Sequence, residues 1–73
     1  MIHIGKLIRE ELNRQERTVT WFAGKLYCER TNVYDIFHRQ SIDTDLLLRI
    51  SQILNHDFFK DYQEEIQKDE EQN

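Results

Sequence analysis

The sequence predicts an all-α fold, a compact bundle of about five helices, and three observations lead there. The chain has no proline and two glycines, Gly5 and Gly24, so it lacks the turn residues that a small sheet protein needs. Its apolar residues recur every three or four positions, the period of one helix face. The breaks between those stretches carry Thr, Asn and Asp, whose short polar side chains cap helix ends. At 73 residues there is room for one core, and eight Ile, seven Leu and four Phe suffice to fill it.

Ile4, Leu7, Ile8 and Leu12 mark a first helix running to about Gln15, closed by the polar stretch 13–17. Lys6, Glu10 and Arg14 on its other faces are spaced for i, i+4 pairing. Thr18 or Thr20 caps a short second helix, with Val19, Phe22, Ala23 and Leu26 inward and an end at Leu26 or Tyr27. Trp21 lies off that stripe and reads as a packing residue rather than a ligand box. Val33, Ile36 and Phe37 give a third helix from about Arg30 to His38. Asp43 or Thr44 caps a fourth, with Leu46, Leu47, Ile50, Ile53 and Leu54 as its core face. Asn55 then serves as a helix-ending residue and Asp57 as the next cap. Phe58, Phe59, Tyr62 and Ile66 form the face of a fifth helix. No apolar residue follows Ile66, so the domain is expected to span residues 1–66 and the acidic tail 67–73 to be disordered.

Charge divides the chain unevenly. The net charge of −4 argues against nucleic acid at first. Residues 1–40, however, hold seven basic and five acidic side chains, net +2, whereas residues 41–73 hold three and nine, net −6. One cysteine, Cys28, excludes an internal disulfide and reads as a small buried apolar residue. Its spacing from His3, His38 and His56 fits no zinc pattern, so no metal is expected. The longest apolar run is Leu46–Leu48, too short for a membrane span, and the start carries no secretory segment, so a cytoplasmic protein is expected. No nucleophile–base order, phosphate loop or paired-carboxylate cleft is present; neither enzyme activity nor a cofactor is expected.

The informative unit is Thr18 to Arg39. Two short helices are joined by a turn of about three residues, with the small Ala23 where they would cross and the small Cys28 in the turn. Val33 and Ile36 face inward on the second helix, while Arg30, Thr31, Asn32, Tyr34 and Asp35 face outward. Arg can fork onto guanine, Asn onto adenine, and Thr can meet a thymine methyl.

The run Phe22-Ala23-Gly24-Lys25-Leu26, Cys28, Arg30-Thr31-Asn32-Val33-Tyr34 and Ile36 resembles the Xre/Cro-type helix-turn-helix of phage repressors and small bacterial transcriptional regulators. The segment Leu47 to Leu54 resembles that family's fourth helix, and the resemblance covers about residues 4–66. It implies a lambda-repressor-like DNA-binding domain, with helix 30–38 as recognition helix in the major groove of a two-fold operator. Three positions depart from the pattern. Tyr27 stands where the family often has Gly, Glu29 where Ser or Thr caps the recognition helix, and Asp35 sets a carboxylate toward DNA, where it either accepts from cytosine N4 or pairs with Arg39 one turn on.

Base contacts are accordingly expected from Arg30, Thr31, Asn32, Tyr34 and Asp35, and phosphate contacts from Arg17, Lys25, His38 and Arg39. Each has a plainer alternative: a solvated charge, a local cap, or for Tyr34 a half-buried ring. Phe58, Phe59 and Tyr62, with Ile2 beside them, form either a roof on the core or the surface of a weak homodimer. Two rival readings keep the fold. One is a protein-interaction module that does not bind DNA; the other is an antitoxin-like regulator whose acidic tail engages a basic protein partner.

Overall fold

The computed structural model describes the backbone of residues 1–72 and the side chains of residues 1–68. Among the described residues five helices follow one another: α1 (Ile4–Arg14), α2 (Val19–Leu26), α3 (Arg30–His38), α4 (Thr44–Leu54) and α5 (Phe58–Gln72). The expected all-α bundle is therefore what the chain forms, with each helix at its predicted place. The expectation of a disordered tail falls on residues 67–73. The helical backbone runs through Gln72, and the side chains of residues 69–73 lie outside the described residues.

Helix starts follow the capping chemistry. Thr18 Oγ1 accepts from the Trp21 N–H at 3.0 Å, Asp43 Oδ1 from the Leu46 N–H at 2.8 Å, and Asp57 Oδ1 from the Phe59 N–H at 3.0 Å. For α1 the cap is His3, whose Nδ1 accepts from the Lys6 N–H at 3.2 Å. Glu29 precedes α3 without a side-chain cap.

The ends of α1, α2 and α4 share one geometry, whereas α3 ends at an extended Arg39. Glu16, Tyr27 and Asn55 all stand at positive φ, at 57°, 55° and 51°; Tyr27 and Asn55 directly follow α2 and α4, and Glu16 follows α1 after Gln15. In each case the next residue's N–H reaches back five positions to a helix carbonyl: Arg17 to Leu12, Cys28 to Ala23 and His56 to Ser51, each at 3.0 Å. This is the Schellman closure, made three times without the glycine that usually supports it.

The core is built from Ile4, Ile8 and Leu12 of α1; Phe22, Ala23 and Leu26 of α2; Val33, Ile36 and Phe37 of α3; Leu47, Ile50 and Leu54 of α4; and Phe58 of α5. Burying each larger side chain contributes about 1.5–3 kcal/mol against the entropy of folding. The N-terminal turn of α1 abuts the end of α3. The N–H groups of Ile4 and Gly5 donate to the carbonyls of Gln40 and Arg39 at 3.1 and 3.0 Å. Two of α1's orphan donors are thereby satisfied, and α3 is held from behind.

Phe58 is removed from the expected self-association surface. It is 1% exposed and completes the core, with the His56 ring edge-on at 4.4 Å. Its place follows from the helix period: as the first residue of α5 it faces the core, and Phe59, one 100° step on, is 38% exposed.

Candidate nucleic-acid interface

Helix α3 has a sharp division between faces. Val33, Ile36 and Phe37 are buried, and Arg30, Thr31, Asn32, Tyr34, Asp35, His38 and Arg39 are all exposed. At about 100° per residue, Thr31, Tyr34, Asp35 and His38 occupy the middle of the outward face, with Arg30 and Asn32 toward its two edges. Asn32, Asp35 and Arg39 line one side of an open groove of about 230 Å³, across from Leu46 and Arg49 of α4. The five residues expected to read bases therefore share the solvent side of one helix.

Local contacts hold several of these side chains. The Tyr34 ring, 51% exposed, meets Phe37 edge-on at 6.1 Å and 85°, so one ring both packs and faces solvent. His38 Nδ1 lies 2.7 Å from the Tyr34 carbonyl oxygen, which ties the imidazole to its own helix. Asp35 and Arg39 share the groove without forming an ion pair.

The expected phosphate contacts Arg17 and Lys25 converge on one residue that sequence reasoning treated as packing. The Trp21 ring is partly buried against the core, with the Arg17 guanidinium 4.5 Å and the Lys25 ammonium 5.8 Å from its centroid. Trp21 and Lys25 stand one helical turn apart on α2, and Arg17 precedes its N-cap Thr18; the spacing 17, 21, 25 is the sequence signal. Arg49 was also passed over. Its Nη2 donates to the Leu26 carbonyl at 3.1 Å, and its guanidinium lies 5.7 Å from the Tyr27 ring centroid. It thus pins the end of α2 beside the turn into α3. Cys28 is half-buried against the core in that turn.

A second polar cluster joins α1 to the α4–α5 connection. Glu11 is buried, and its carboxylate accepts from Arg14 Nε at 3.0 and 3.1 Å and from Gln15 Nε2 at 2.7 Å. Gln15 Nε2 also donates to the Leu54 carbonyl at 2.6 Å. His56 bridges the two ends, with Nδ1 3.6 Å from Glu11 and Nε2 3.0 Å from Asp61. The Arg14 hydrogen bonds hold the Glu11 carboxyl below its ordinary range; burial opposes them, and Gln15 adds to the lowering. Arg14 therefore pairs with Glu11 at i+3 rather than with Glu10 at i+4.

Around α5, Phe59 is 38% and Ile66 60% exposed, and burial raises the half-buried Tyr62 phenol above its usual range. Tyr62 lines a groove with Met1, Ile2 and Glu65, which brings Ile2 beside it. Phe59 and Leu48 of α4 line a separate hollow with Gln52 and Asn55. Among the described residues no helix is long and apolar enough to cross a membrane.

No family model, curated protein or solved structure matches the chain.

Proposed function

We propose that this chain binds double-stranded DNA sequence-specifically as a small transcriptional regulator of the helix-turn-helix type, with α3 in the major groove. The observation that carries this reading is the outward face of α3. Arg30, Thr31, Asn32, Tyr34 and Asp35 are all solvent-exposed on it, on a helix whose opposite face is locked into the core. Those side chains carry the donors and acceptors that distinguish base pairs in the major groove, and α3's diameter suits that groove. Arg17, Lys25, His38 and Arg39 are exposed as well and supply phosphate contacts, His38 from the last turn of the face itself.

One recognition helix reads few base pairs, so the reading includes a weak homodimer on a two-fold site. Phe59 and Tyr62 form its surface together with Leu48, an exposed apolar side chain that lines one hollow with Phe59. Phe58 takes no part.

Fluorescence anisotropy with a random-sequence duplex at low salt tests the first step, and selection from a random pool tests specificity. Binding that weakens steeply with salt, and a palindrome among the selected duplexes, are expected. Absence of binding at low salt overturns the proposal. It would favour the protein-interaction reading, which the exposed Asp35 and the net charge of −4 support.

A further inference from the structure

We infer that Trp21 is a positioning residue, which holds the Arg17 and Lys25 side chains together as one clamp for consecutive phosphates of a DNA strand beside α3. The inference rests on the DNA-binding reading and adds a residue and a mechanism to it.

Two cations share one aromatic ring here, at 4.5 and 5.8 Å from its centroid. Like charges gathered at one ring repel, and among the described residues no carboxylate forms an ion pair with either. The electron-rich face of the indole offsets that repulsion in part. A phosphate at each cation would offset the remainder, which suits the arrangement to consecutive phosphates of one strand. The backbone beneath is fixed at both ends. The Arg17 N–H is bonded to the Leu12 carbonyl at 3.0 Å, and the Trp21 N–H to Thr18 Oγ1 at 3.0 Å. The indole itself is partly buried and packs against the core, which restricts the ring. Long basic side chains lose rotamer freedom when they grip a phosphate; a ring that has already gathered them reduces that loss.

The role can be separated from plain packing by a double-mutant cycle. Binding of a random-sequence duplex is measured by anisotropy across a salt series for the wild type, Trp21→Leu, Trp21→Phe, Arg17→Ala/Lys25→Ala and the triple variant with Trp21→Leu. Thermal melts confirm that each variant is folded. Trp21→Leu is expected to weaken binding about five- to tenfold, and Trp21→Phe to restore part of that. In the Arg17→Ala/Lys25→Ala background, Trp21→Leu is expected to change affinity less than twofold, because nothing is left to position. Emission from Trp21, the one tryptophan, is expected to change as duplex is added. An equal loss from Trp21→Leu in both backgrounds, or no loss in either, would overturn the inference while leaving DNA binding intact. A wild type that binds no duplex at low salt would remove the DNA-binding reading and this inference with it.

Discussion

Gly5 in the first turn of α1 lies against the main chain of Phe37 at the end of α3, so closely that a β-carbon at residue 5 would enter the van der Waals shell of the Phe37 and Ile36 carbonyl oxygens. The same turn carries the Gly5 N–H bond to the Arg39 carbonyl. Backbone cannot swing away as a flexible side chain would, so Gly5→Ala must push the two helices apart. A loss of about 1–3 kcal/mol is expected, a fall in melting temperature of roughly 4–8 °C per kcal/mol. Gly24→Ala in α2 is the control, because nothing stands within 4 Å of its would-be β-carbon. It is expected to stabilise by about 0.5–1 kcal/mol, since alanine suits a helix interior better. Circular-dichroism melts of both variants check the pair; a stable Gly5→Ala protein would refute the close approach.

Tyr27 closes α2 in the left-handed region at φ 55°, with its side chain 89% exposed. Its β-carbon is strained there, and glycine's absence of one removes the strain. Tyr27→Gly is expected to stabilise the domain by about 0.5–1 kcal/mol, the relief exceeding the added freedom of the unfolded chain. Tyr27→Ala keeps the β-carbon and loses the ring beside Arg49, so it is expected to destabilise. Urea titrations of the two variants should move their midpoints in opposite directions.

Much of this architecture is legible from local signals. The caps at Thr18, Asp43 and Asp57 and the terminator Asn55 are short-range chemistry, and they set four helix boundaries. Likewise, the outward face of α3 follows from the period of Val33, Ile36 and Phe37 alone. What escapes is whatever depends on a residue far along the chain. Glu11 shares a face with Ile4 and Ile8, yet its burial makes sense only once Gln15 is seen reaching Leu54, 39 residues away. The Arg49 bond to Leu26 spans 23 residues and leaves no periodic trace. Gly5 is conspicuous in the sequence, but its reason lies in Ile36 and Phe37. Phe58 and Phe59 look alike, and a single 100° step separates core from surface.

Glu11 makes stability depend on acid. Its carboxyl is held below the ordinary value of 4.5, chiefly by the Arg14 hydrogen bonds. The unfolded chain therefore binds this proton more readily than the folded one. The contribution is fully present above the unfolded value and is lost as the pH falls through it toward the lower folded value. Glu11→Gln is expected to flatten the fall in unfolding free energy below about pH 5, while lowering stability at neutral pH through the lost charge-assisted bonds. Urea titrations at several pH values measure this, and parallel pH profiles for the two proteins would contradict it.

The two adjacent phenylalanines of α5 separate folding from assembly. Phe58→Glu would bury a charge without a partner in the core and is expected to unfold the domain. Phe59→Glu places its charge on a side chain already 38% exposed, so the melting temperature should change little. If Phe59, Tyr62 and Leu48 meet their own copies across a two-fold axis, the wild type will show concentration-dependent mass in analytical ultracentrifugation and Phe59→Glu will not. Cooperative DNA binding should be lost with it. A wild type that stays monomeric at every concentration and binds a single half-site without cooperativity would return these side chains to a purely structural role.

Arg30 opens α3 at the edge of the exposed face, and the DNA-binding reading gives it a different duty from Lys25 on α2. A guanidinium that forks onto guanine O6 and N7 contributes about 1–3 kcal/mol of discrimination at a single base pair. Arg30→Ala should therefore relax preference at one position of the selected site while neighbouring positions keep theirs. A phosphate contact behaves otherwise: its loss weakens every sequence alike and makes the salt dependence shallower by about one unit in the log–log slope. That second pattern is expected of Lys25→Ala. Affinities for a set of duplexes, each altered at one position of the selected site and measured at two salt concentrations, distinguish the two signatures. If Arg30→Ala produces the uniform loss instead, Arg30 grips the backbone, and specificity must come from Thr31, Asn32, Tyr34 and Asp35.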